Sequence, residues 1–192
     1  VVNQVKYAAQ LLQYLRIASQ LAARTEQTAP VLAKLSEVEN KLRAASTDNP
    51  SLQVERLADE TLSLRVLLMQ EAGQAEQAAQ LAARQLDEAN AGLKAQPASV
   101  EATLRKAAAL TLQVQLALRG KAAAAEIAER ERALLDFVDG SLKQMPDEAG
   151  VQEAYFAAHY AAINRQMSVD AKAADAMAQT LDERLASFNT DD

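Results

Sequence analysis

The sequence predicts an all-α protein, specifically an elongated antiparallel four-helix bundle in up-down-up-down order. Three observations carry that expectation: composition, the placement of the prolines, and apolar periodicity. Of 192 residues, 43 are Ala, 26 Leu and 18 Gln, against three Phe, four Tyr and no Trp. Ala, Leu and Gln lose little side-chain freedom in a helix. Five Gly and four Pro are too few for the turns of a β-sandwich or barrel, and 49% hydrophobic residues supply enough apolar surface for a folded core.

The prolines divide the chain. A helix interior rejects proline, whereas a first turn accepts it. Pro50, Pro97 and Pro146 stand in turn-like surroundings, Ser46-Thr47-Asp48-Asn49-Pro50-Ser51, Gln96-Pro97-Ala98-Ser99 and Gln144-Met145-Pro146-Asp147. Cutting there gives segments 1–49, 50–96, 97–145 and 146–192, of 49, 47, 49 and 47 residues. Four near-equal helical arms joined by short turns imply antiparallel neighbours. At about 1.5 Å per residue each arm would be roughly 65–70 Å long, a rod rather than a globule.

Each arm carries an apolar stripe at helical spacing. The first has Val31, Leu35, Val38 and Leu42; the second has Leu57, Leu64, Leu68, Ala75, Ala79, Ala82, Leu86, Ala89 and Leu93. The third has Val100, Leu104, Ala107, Thr111, Val114 and Leu118, then Ile127, Leu134 and Val138. The fourth has Ala171, Ala174, Ala178, Leu181, Leu185 and Phe188. Helix-weakening residues recur near mid-arm, at Pro30, Gly73 and Gly120, level with Met167-Ser168-Val169-Asp170. A Gly in mid-helix costs about 1 kcal/mol relative to Ala, and a Pro about 3 kcal/mol. The expectation is one domain, 1–192, with a waist near residues 30, 73, 120 and 169. The waist would separate a module of about 1–29, 74–119 and 170–192 from one of about 30–73 and 120–169.

Composition also excludes much chemistry. With no Cys there are no disulfides, zinc ribbons or thiol nucleophiles, and one His makes His-rich metal sites and Ser-His-Asp catalysis improbable. His159 has Phe156 three residues before it, so the Glu-x-x-His pairs of di-iron bundles are missing. No Gly-rich phosphate loop is present. Neither an enzyme nor a cofactor is expected. A net charge of −6 argues against nucleic-acid binding. No apolar run approaches the roughly 20 residues of a membrane crossing. The chain begins at Val1 rather than Met, as expected of an excised domain or mature fragment.

Up-down-up-down order would bring both chain ends to one end of the rod, as suits an insert between two transmembrane helices. A long, acidic, Ala- and Gln-rich bundle of this kind resembles the extracytoplasmic sensor domains of bacterial methyl-accepting chemotaxis receptors. The paired modules make it look most like their helical bimodular class. The resemblance covers the whole chain and rests on architecture. It implies two stacked helical bundles that bind small molecules, commonly organic acids, and signal by displacing one helix. It further implies a periplasmic location, membrane anchoring through flanking helices, and a homodimer in the full receptor. No ligand motif of that family matches residue by residue.

A small-molecule site in such a bundle must come from polar groups entering between helices. At comparable heights in the distal module lie Arg65, Arg130, Arg132, Tyr155, His159 and Tyr160; an Arg fork with Tyr hydroxyls suits a carboxylate. Tyr155 and His159, four apart, share one helix face. A lone His beside Tyr equally fits a packed residue bonded to a neighbouring helix. A second cluster comprises Tyr7, Tyr14 and Arg16 with Arg84 and Gln113, although Tyr7, Leu11, Tyr14, Ala18 and Leu21 also read as a core stripe. The expected function is therefore a sensor of a small carboxylate. The alternative is a structural or scaffolding coiled-coil bundle that recognises a protein partner.

Overall fold

The computed structural model describes residues 2–25, 27–48 and 52–188, and every secondary-structure element among them is α-helical. Eight helices follow one another: α1 (Val2–Thr25), α2 (Thr28–Asp48), α3 (Leu52–Glu71), α4 (Ala75–Ala95), α5 (Val100–Arg119), α6 (Ala124–Gln144), α7 (Ala149–Met167) and α8 (Ala171–Phe188). The all-α expectation holds. The four long arms do not, because each of them is two helices.

The breaks have local causes. After α3, Gly73 adopts φ +78°, a left-handed conformation that glycine reaches without a Cβ penalty. Gly73 N–H donates to Gln70 O at 3.2 Å and Gln74 N–H to Met69 O at 2.9 Å, the paired bonds that close a helix C-terminus. The same pair closes α5, where Lys121 N–H donates to Leu118 O and Ala122 N–H to Ala117 O. There the left-handed residue is Lys121, at φ 52°, rather than the neighbouring Gly120. Pro30 is the third residue of α2, within the first turn that tolerates it. At the remaining break, Asp170 Oδ1 accepts from Lys172 and Ala173 N–H, both at 3.1 Å, and so starts α8.

The residues near 30, 73, 120 and 169 are thus hairpin turns and not a waist. Each arm folds back on itself at its middle, since a helix end with satisfied caps and an antiparallel partner outweighs a continuous helix carrying Gly or Pro. Pro97 and Pro146 lie in the links between hairpins, after α4 and α6. Pro50 lies outside the described residues. Ser99 Oγ caps α5 by accepting from Ala102 N–H.

The four hairpins stack in sequence order. The odd helices form one layer, α1 touching α3, α3 touching α5 and α5 touching α7; each even helix packs on the odd helices before and after it. Among the described residues the backbones of successive even helices do not approach one another closely. Three apolar cores follow, one per stretch of the stack. Leu15, Leu35, Val38 and Leu68 join α1, α2 and α3. Leu62, Val66, Ala78, Ala82, Leu112 and Leu116 join α3, α4 and α5. The largest, including Val114, Leu134, Val138, Val151, Tyr155 and Leu181, joins α5 to α8. Cores shared only by neighbours define an α-solenoid. Its accessible surface is 11795 Å², against about 8,900 Å² for a compact monomer of this mass.

Two further expectations are corrected by this topology. The modules 1–29/74–119/170–192 and 30–73/120–169 do not form, because α2 touches neither α6 nor α7, and α1 touches neither α4, α5 nor α8. The first and last helices lie at opposite ends of the stack, since among the described residues α1 packs on α2 and α3 alone and α8 on α7 alone.

Candidate functional site

The sequence-predicted residues are distributed along the stack rather than gathered into a clamp. Arg65 on α3 is mostly buried against α2: Nη1 donates to Ser36 Oγ at 3.1 Å and lies 2.9 Å from Glu39 Oε2. Arg130 on α6 donates Nη1 to Gln113 O and Oε1 on α5, and Nη2 to Glu126. Tyr155 is buried in the largest core, its ring 4.3 Å from that of His159. His159 Nε2 is hydrogen-bonded to Asp139 Oδ1 on α6 at 2.8 Å. Burial, followed by the Asp139 charge, pushes the Tyr155 hydroxyl above its ordinary value. Tyr14 and Tyr160 are exposed, and Arg16 forms an exposed ion pair with Glu60 at 3.1 Å. Of the companion residues, Arg84 pairs with Glu88 on its own helix. The Tyr7 side chain lies outside the described residues.

These contacts are helix-to-helix ties. Since α3 touches neither α6 nor α7, Arg65 does not meet Arg130 or the Tyr155–His159 pair. What the sequence located correctly is the latter pair on one face of α7.

A different set of polar side chains converges where the first three hairpins meet. An open cleft of about 320 Å³ is lined by Arg43 and Ser46 of α2, Glu55 and Ala58 of α3, and Arg105 of α5. Asp59, nearly buried beside it, accepts from Arg43 Nη2 at 3.3 Å and Arg105 Nε at 3.0 Å. Glu55 accepts from Ser46 Oγ at 2.8 Å and Arg105 Nη1 at 3.4 Å. Arg43 Nε also reaches Glu39 at 3.2 Å, which links the cleft to Arg65.

Glu101, on α5, acts on Glu55 electrostatically. Hydrogen bonding with Glu101, with help from Ser46, Arg105 and Arg43, holds Glu55 below the ordinary carboxylate value against the opposing effect of burial. The same interaction, burial and the neighbouring Glu55 charge push Glu101 up. Burial works against the Arg43 charge, but Glu39 and Asp59 outweigh it and raise its pKa. The carboxyls of Glu39, Glu55, Asp59 and Glu101 thus neighbour the guanidiniums of Arg43, Arg65 and Arg105.

Asp59 shows why sequence reasoning missed this cluster. In the register set by the helix C-termini it stands where α1 has Leu12 and α5 has Ala107, both buried. Only that register reveals an acid at a core position. Among the described residues no helix is long and apolar enough to cross a membrane, and no group of three or more His, Cys, Asp or Glu could hold a metal ion. Comparison with family models, with curated proteins and with solved structures finds no match.

Proposed function

We propose that the protein is a non-catalytic helical-repeat scaffold whose charged cleft binds a protein segment carrying Lys or Arg. One observation carries this reading: in and beside the cleft between α2, α3 and α5, the three carboxyls of Glu55, Asp59 and Glu101 face the two guanidiniums of Arg43 and Arg105. An incoming cation would pair with Glu55 and Glu101, relieving the repulsion between them and gaining charge-assisted hydrogen bonds. Stacked hairpins present extended surfaces suited to such partners, and the overall charge of −6 steers them inward.

The test is a displayed peptide library screened against the whole chain, followed by anisotropy titration of the selected sequences. The expected hits contain Lys or Arg, weaken as salt is raised, and lose about tenfold or more in affinity to Glu101→Gln. Hits free of basic residues, or insensitive to that substitution, would overturn the reading. The expected carboxylate sensor has one supporting observation, the two guanidiniums of Arg43 and Arg105 in an open cleft. Both already serve carboxylates, so an organic acid would have to displace them. A rise in melting temperature with a carboxylate panel would favour that second reading.

A further inference from the structure

The two ends of the stack differ from its middle in what they leave uncovered. Among the described residues eight large hydrophobics are exposed, and seven of them lie on the first helix or the last hairpin. On α1 these are Tyr14, Ile17 and Leu21, at 67%, 60% and 57% exposure. On the last hairpin the most exposed are Tyr160, Met167 and Val169, at 64%, 60% and 72%. Patches of this kind on a soluble surface mark interaction sites.

Register identifies what the α1 face is built to meet. Gln27, Gln74 and Ala122 close α1, α3 and α5 by donating to Ala22, Met69 and Ala117, so those three acceptors are equivalent. Ile17 and Leu21 then correspond to Leu64 and Leu68 of α3, and to Leu112 and Leu116 of α5. In α3 these positions pack on the first hairpin, and in α5 on the second. The exposed stripe of α1 is therefore the counterpart of the surface on which α3 and α5 each receive another hairpin. Met167 follows Ile163 by four residues at the other end of the stack, beyond the last core.

Charge points the same way. Helix α1 contains Lys6, Arg16 and Arg24 and no acidic residue, in a chain of net charge −6. Residues 170–188 contain four acids, Asp170, Asp175, Asp182 and Glu183, against two bases. The helix at one end of the stack is thus basic and the segment at the other end acidic.

The geometry points to head-to-tail self-association, in which the α7–α8 hairpin of one copy stacks on α1 of a second copy and continues the solenoid. Such an interface is heterologous, so it leaves a free face at each end and propagates. It is independent of the cleft and of what the cleft binds.

Sedimentation across a concentration series tests this directly. The expected result is a mass that climbs past a dimer and falls back as salt is raised. Ile17→Glu and Met167→Glu each block one face, so each variant alone is expected to sediment as a monomer. An equimolar mixture of the two retains one intact pair of faces and is expected to stop at a dimer. Circular dichroism verifies that both variants stay helical. Should either fail to fold, the absence of native Cys permits a second test: Ile17→Cys with Met167→Cys in one chain, oxidised, is expected to give a ladder of crosslinked multimers. A parent chain that is monomeric throughout overturns the inference. So does a Met167→Glu variant that still dimerises, which would indicate α1 pairing with α1, and so does a double-Cys chain giving no ladder.

Discussion

Arg65 and Glu101 illustrate two opposite ways in which a charged side chain is held. Arg65 is buried against Glu39 and its Nε has no hydrogen-bond partner, so it contributes a tie whose removal leaves Glu39 short of one cation. Arg65→Ala is expected to destabilise the chain by about 3 kcal/mol, read from urea unfolding. Glu101 acts in reverse. Its folded-state pKa lies above the ordinary 4.5, so the folded chain holds that proton more tightly than the unfolded one. The stabilisation is complete below about pH 4.5 and is lost as pH rises through the raised value. Glu55, lowered from 4.5, contributes stability above that value and loses it as pH falls. Glu101→Gln retains a donor for Glu55 without the like charge. It is expected to melt higher than the parent at about pH 7, with the difference vanishing toward about pH 4. Gln85 offers a simpler case. It is the eleventh residue of α4, buried with Oε1 unpartnered, where the other even helices place Val38, Leu134 and Leu181. Gln85→Leu is expected to stabilise by about 1–2 kcal/mol in the same urea assay.

At the scale of the helices, the turns after α3 and α5 make a matched pair. Gly73→Ala is expected to cost about 1–2 kcal/mol, because a Cβ at φ +78° is strained even where nothing crowds it. Lys121→Gly relieves the same strain and is expected to gain up to about 1 kcal/mol, both changes being read as shifts in denaturation midpoint. These turns also explain how much of the fold could be read beforehand. Helical content, the even placement of Pro97 and Pro146 and part of each apolar stripe were legible, although Ala75, Ala79, Leu118, Ala171 and Leu185 of those stripes are exposed. The meaning of Gly73 and Gly120 was not, because a Gly inside a long helix and a Gly closing a hairpin leave the same local trace. A 3.6-residue stripe runs on through either one. Choosing between them requires knowing which stripes bury one another, a long-range property that single-residue spacing does not encode. The site suffered from the same gap. Arg65 and Arg130 are expected from the sequence to form one fork for a carboxylate, but topology separates them and supplies Glu39 and Gln113 as their partners.

For the whole molecule, stability is a sum over neighbouring hairpins rather than the property of one centre. The core joining α5 to α8 has eleven buried members, whereas that joining α1, α2 and α3 has four among the described residues. Native-state hydrogen exchange is therefore expected to show α1 and α2 opening at lower free energy than α6 and α7, with the amides of α5 protected longest. Equal protection across all four hairpins would indicate a single cooperative unit. The odd helices touch along the stack while the even ones stand apart, and this asymmetry has a mechanical corollary. Small rotations at each junction can spread or close the gaps between α2, α4, α6 and α8 without breaking an apolar core. Tension applied across the two ends is thus expected to be taken up first by a change of curvature, as in a compliant spring.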